Sequence, residues 1–158
     1  MRHIFINCLK GAGVLGTTVD TLEEVLKMFS SFLVPSHHLM MLVKRQIISL
    51  YSQRQLNSLG KDDFVRIKEL CEESINVLGK VDPGYPLWKA ETLKDLSTSS
   101  MNLARTRFEL GEISRPEFLV LVKISMKLVE EASKCKGCVK IERRLENGET
   151  LSEEYSNN

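Results

Sequence analysis

Asp20 to Ser52 reads DTLEEVLKMFSSFLVPSHHLMMLVKRQIISLYS, and the fold class follows from it. Leu22, Val25, Leu26, Phe29, Phe32 and Leu33 recur at spacings of three and four, which places them on one face of a helix. Pro35 stops that helix, because proline restricts the residue before it and has no N–H for the helical ladder. Ser36 is a candidate cap for a second helix. Its stripe is Leu39, Leu42, Val43, Ile47, Leu50 and Tyr51, with Lys44, Arg45 and Gln53 left to solvent. Two helices joined by so short a loop form an antiparallel hairpin, and the expected class is all-α.

The same reading extends along the chain. SQRQLNSLGKDD is a polar connector, and Asp62 or Asp63 can cap a third helix that buries Phe64, Ile67, Leu70, Cys71, Ile75 and Leu78. Asp82, Pro83, Gly84 and Pro86 mark a turn. A fourth helix is expected from about Leu87 to Leu110, using Leu93, Leu96, Ser100, Met101, Leu103, Ala104 and Phe108, with Gly111 as a left-handed residue after its end. Ala90, Ser97, Ser99, Ser100 and Ala104 give that helix a small-residue face, which allows close packing or leaves a groove. Ser114 and Glu117 have capping-box spacing, and Pro116 sits in the first turn of a fifth helix. Leu119, Val122, Met126, Val129 and Ala132 form its apolar stripe, and Lys134 and Lys136 suit its C-terminal end. Residues 1–19 read as a connector, 20–135 as the helical domain and 136–158 as a polar, largely disordered tail.

Composition narrows the function classes. The 158 residues are 42% hydrophobic, enough for one domain with an apolar core. Twenty-two Lys and Arg oppose twenty-one Asp and Glu, a balance that gives no footing for nucleic acid or an acidic membrane as partner. Ten aromatic residues against twenty-two leucines favour helix over sheet. Pro35, His37 and His38 interrupt the longest uncharged stretch, Met28 to Val43, so no membrane-spanning helix is expected. The N-terminal residues lack the long apolar region of a secretion signal. Four cysteines are too few for a disulfide scaffold, so reduced thiols in cytoplasm or nucleus are expected.

Three local patterns invite a chemical reading. Gly11, Gly13 and Gly16 spell G-x-G-x-x-G after a strand-like HIFINCL, the spacing of a dinucleotide site. The second strand and its acidic ribose ligand do not follow, so the segment reads as a connector and no cofactor is expected. Cys135 and Cys138 form C-x-x-C, but a structural zinc needs four ligands, and Cys8, Cys71, His3, His37 and His38 supply no second tight pair. Incidental thiols are preferred to a composite metal site, and a redox motif would need a βαβ setting. His37 and His38 are neighbours about 100° apart on a helix, which suits one facing inward and one facing solvent better than joint metal binding. No serine occupies a nucleophile elbow and no cysteine has a histidine at a recognisable spacing, so no catalytic residue is expected. Trp88, the single tryptophan, reads as an anchor for the fourth helix or as an exposed binding residue.

The order of these pieces resembles a known family. Thr21 to Ser52, with Pro35 and His37 between two helices and Leu50–Tyr51 at the end of the second, is similar to the first helical pair in the C-terminal domain of SET- and MYND-domain lysine methyltransferases, especially their arthropod branch. LCEESINVLGKVDP, Leu70 to Pro83, resembles the family's helix ending in a Leu-x-x-Val/Ile-Asp/Glu-Pro turn. ARTRFELGEISRPEFLVLVKISMKLVEE, Ala104 to Glu131, resembles its Gly-Glu-Ile-Ser turn and final long helix. The resemblance implies a tetratricopeptide-like (TPR-like) array of antiparallel helix pairs in a short superhelix. The family's Asn-His-Ser-Cys and Gly-Glu-Glu segments, which shape the methyl-donor pocket, and its MYND zinc module are absent from this sequence.

The expected function is therefore a non-catalytic protein-interaction module whose partner is another protein or a SET domain. The alternative is the C-terminal part of an S-adenosylmethionine-dependent lysine methyltransferase whose SET domain is encoded upstream.

Overall fold

A computed structural model describes residues 18–54, 58–81 and 86–146, with residues 81, 86 and 136–146 described through their backbone only. The described residues form five helices: α1 (Val19–Ser30), α2 (His38–Gln53), α3 (Lys61–Val81), α4 (Pro86–Glu109) and α5 (Arg115–Glu146). No strand occurs among them.

The helix ends explain where the chain turns. Thr18 opens α1, its hydroxyl accepting from the Thr21 N–H at 3.2 Å. His37 rather than Ser36 caps α2: its Nδ1 accepts from the Leu39 N–H at 3.3 Å. Asp63 likewise is not itself the cap of α3, since the helix starts at Lys61 and the Asp63 carboxylate reaches back to accept from the Gly60 N–H at 2.8 Å. The capping box on α5 forms as its spacing predicts. Ser114 N–H donates to Glu117 Oε2 at 2.7 Å, and Glu117 N–H donates to Ser114 Oγ at 3.5 Å. After α4, Gly111 takes φ of +72°. Its N–H donates to the Phe108 carbonyl and the Glu112 N–H to the Arg107 carbonyl, closing a Schellman motif that only a left-handed residue completes without strain.

Contacts that bridge helices fix their directions. Lys44 meets Glu73 and Lys61 meets Glu112, so α2, α3 and α4 run alternately up and down. Ser97 donates to the Ser125 carbonyl at 2.7 Å and Phe108 stacks on Phe118, so α5 runs back along α4. Each helix packs mainly on its neighbours in sequence, most extensively α4 on α5 and α3 on α4. The main core joins Leu22 and Leu26 of α1, Val43, Ile47 and Tyr51 of α2, Phe64, Ile67, Leu70 and Cys71 of α3, and Leu96 of α4. Burial of a Leu or Phe there contributes about 1.5–3 kcal/mol.

Several expectations need correction. Phe32 is 60% exposed because α1 ends at Ser30 and the residue falls in the following turn. In α2 the buried face is turned by roughly one ~100° residue step from the expected stripe. Met40, Met41, Lys44 and Ile48 go inside, while Leu39, Leu42 and Leu50 are half-buried. Lys44, expected in solvent, is only 3% exposed. In α5 the expected stripe is borne out at buried Ala132 and half-buried Val122, but Leu119, Met126 and Val129 are about half exposed or more and Ser125 is buried in their stead. Ala90, Ser97 and Ala104, seven residues apart on α4, are buried too. These small side chains let the two backbones approach, and the large residues of α5 are turned out. Helix α5 continues to Glu146, eleven residues past the domain end expected at residue 135, a length of about 48 Å. Residues 147–158 lie outside the described residues.

Candidate functional site

A groove of about 970 Å³ opens where α1 and α3 lie side by side above the first half of α2. The two flanking helices are parallel, because Glu23 near the start of α1 meets Arg66 near the start of α3, while Lys27 and Ser30, about one to two turns on, line the same space as Asn76 and Lys80, about three to four turns on. Pro35 and Ser36, in the turn between α1 and α2, close one end. Leu26, Met40 and Val77 supply apolar lining. A salt bridge thus joins α1 and α3 across the rim above α2.

Two ion pairs shape the groove. Arg66 holds Glu23 in a two-pronged bond, Nε to Oε1 and Nη2 to Oε2, both 2.7 Å, and reaches Glu69 with Nη1 at 3.2 Å. These carboxylates, the Glu23 hydrogen bonds first, outweigh partial burial and raise the guanidinium pKa above its ordinary value. The second pair is Lys44 Nζ to Glu73 Oε2 at 2.7 Å. Lys44 rises from the floor with its side chain 3% exposed, whereas Glu73 stands on the rim at 53%. Lys44 is enclosed because Met40 and Ile48, one turn before and after it, are both buried, so its stem shares their face.

A second, polar pocket of about 340 Å³ lies between α2 and α4. Arg45 pairs with Glu91 there, and its guanidinium sits 5.4 Å from the Trp88 ring centroid. Asp95 lines the same pocket, and burial pushes its carboxyl above the usual range, with Glu91 adding to the effect. Trp88 therefore serves as a half-buried platform at the start of α4, in line with the anchoring role.

The residues singled out in the sequence fall elsewhere. His37 is half-buried and His38 exposed, their rings stacked at 4.7 Å, and the former caps α2 instead of lying within it. Cys71 is in the core, where burial drives its thiol pKa well above the ordinary value. Cys135 is half-buried against Ala90, Leu93 and Ala132. The side chain of Cys138 lies outside the described residues, as do His3, Cys8, Gly11, Gly13 and Gly16. Among the described residues, no group of three or more His, Cys, Asp or Glu is placed to hold a metal. No helix among them is long and apolar enough to cross a membrane. The small-residue face of α4 forms no groove: Ala90, Ser97, Ser99 and Ala104 are buried, and Ser97 is bonded across to α5.

The groove residues were missed because they come from three helices and share no motif. One signal was present: Lys44 sits four residues from both Met40 and Ile48, a position on an apolar face. Comparison with family models, with curated proteins and with solved structures finds no match to this chain.

Proposed function

We propose that this chain is a non-catalytic helical module that binds a segment of another polypeptide in the groove between α1 and α3. The single observation that carries this reading is the groove itself, about 970 Å³, lined between charged rims by half-buried Val77 and by the nearly buried Leu26 and Met40. Such a space suits the side chains of a peptide or an amphipathic helix. A TPR-like superhelix belongs to the same proposal, supported by the parallel course of α1 and α3 and by packing between sequence neighbours. So does the resemblance to the C-terminal domain of SET- and MYND-domain lysine methyltransferases. Pro35 and His37 at the first hairpin and Gly111 to Ser114 before α5 sit at helix junctions, as that resemblance requires. Cytoplasm or nucleus is the proposed location, in keeping with the reduced thiols.

Filling the groove tests the reading. Val77→Trp should lower the affinity of a groove-binding peptide about tenfold or more, measured by fluorescence anisotropy, with the melting temperature nearly unchanged. Equal affinity for both proteins would place binding elsewhere.

A second reading rests on a different surface. Leu119, Val120, Ile124, Met126 and Val129 of α5 are each 49–63% exposed, apolar residues spread over its outer side that would suit packing against a SET domain, supplied upstream in a methyltransferase or in trans. On the primary reading the chain alone does not bind S-adenosylmethionine. Saturable binding of that cofactor in calorimetry would make it an enzyme instead.

A further inference from the structure

We propose that the groove selects an acidic segment of its partner, and that Glu73 is a built-in occupant which the partner's carboxylate replaces at Lys44. This rests on the peptide-groove reading and adds the chemistry of what enters. Lys44 carries the argument. Its ammonium sits at the floor of the groove with the side chain 3% exposed, and a charge so deeply placed needs an anion within hydrogen-bond distance. The anion it has comes from the rim: Glu73 is 53% exposed, and Lys44 is its only ion-pair partner among the described residues. Turning outward, Glu73 regains water, and the cost of leaving Lys44 unpaired is offset when another carboxylate takes its place.

The remaining charges favour the same ligand. Glu23 is held by both prongs of Arg66 and is not free to oppose an incoming anion. Lys27 and Lys80 line the groove without an ion-pair partner among the described residues, and Glu24 is the one lining carboxylate left unpaired. With Glu73 turned outward and Glu23 held by Arg66, Lys27, Lys44 and Lys80 face the ligand against Glu24 and the displaced Glu73 at the rim. Half-buried Val77, with the nearly buried Leu26 and Met40, lines the space between these cations, so a segment alternating acidic and apolar side chains fits both.

The test uses the full chain and three labelled peptides of equal length in which leucine alternates with glutamate, glutamine or lysine. In fluorescence anisotropy the glutamate peptide should bind at least about tenfold tighter than the other two. Glu73→Gln should tighten the glutamate peptide about tenfold and leave the glutamine peptide unchanged. Lys44→Met should weaken the glutamate peptide and abolish the effect of Glu73→Gln, a coupling that a merely structural role for the pair would not produce. Lys27→Gln with Lys80→Gln, both on the exposed rim, repeats the test without touching the core. Equal binding of the glutamate and glutamine peptides, or weaker glutamate binding by Glu73→Gln, would overturn acidic selection and leave the groove reading standing. Failure of all three peptides to bind would overturn both.

Discussion

Lys44 and Glu73 form an unequal pair: the lysine side chain is 3% exposed and its carboxylate partner, 2.7 Å away, is 53% exposed. The two halves of the pair should therefore respond differently to removal. Lys44→Met keeps the apolar stem and releases Glu73 to water, so stability should change by less than about 1 kcal/mol. Glu73→Ala leaves a buried ammonium without its anion and should cost about 1–3 kcal/mol. Urea unfolding of both variants checks the order, and equal costs would mean that Lys44 is not enclosed.

The outer and inner faces of α5 make a second contrast. Leu119→Lys and Met126→Lys fall on half-exposed or more exposed positions and should shift stability by no more than about 0.5 kcal/mol. Ala132→Leu pushes a larger side chain into the close contact with Ala90 and Leu93 and should cost about 1–3 kcal/mol. The reverse pattern would place Leu119 and Met126 in the core.

How much of the fold was legible depended on the type of signal. Caps and turns were readable at Ser114–Glu117 and Gly111 because a local hydrogen bond or one dihedral decides them. The buried face of α3 was readable because Phe64, Ile67, Leu70, Cys71 and Leu78 leave no competing apolar face. In α2 and α5, apolar residues cover more than one face, and the choice of face is made by the neighbouring helix. Ala132 was legible as part of the apolar stripe, but Ser125 faces α4 because small residues oppose small residues, a preference that no single-helix pattern contains. Lys44 was assigned to solvent on its charge, although its stem occupies a core position supplied with an anion by another helix.

Core position also separates two leucines that the sequence treats alike. Leu70 is fully buried at the centre of α3, so Leu70→Ala should cost about 2–5 kcal/mol. Leu42 is half-buried, and Leu42→Ala should cost less than half as much. Urea midpoints at constant slope distinguish them.

Alkaline pH should destabilise the fold earlier than tyrosine titration alone would. Burial, then the carboxylates of Asp95 and Glu72, holds the Cys71 thiol protonated well above its ordinary range. Burial, then Asp63 and Glu23, does the same for the Tyr51 phenol. Unfolded, these groups titrate near about 8.5 and 10. Both native values are raised, so the stabilisation is fully present below the unfolded values and is lost as pH rises toward the native ones. The urea midpoint should begin to fall above about pH 8.5, and Cys71→Ala should flatten the first part of that fall. A profile flat to pH 10 in the unsubstituted chain would contradict the burial of Cys71.

The proposed ligand site lies between α1 and α3. Amide chemical-shift mapping of the full chain, titrated with the leucine–glutamate peptide, tests it most directly. Perturbations should concentrate at Lys27, Met40, Lys44, Val77 and Lys80. Perturbations concentrated at Leu119 to Val129 of α5, or spread evenly over the surface, would contradict it.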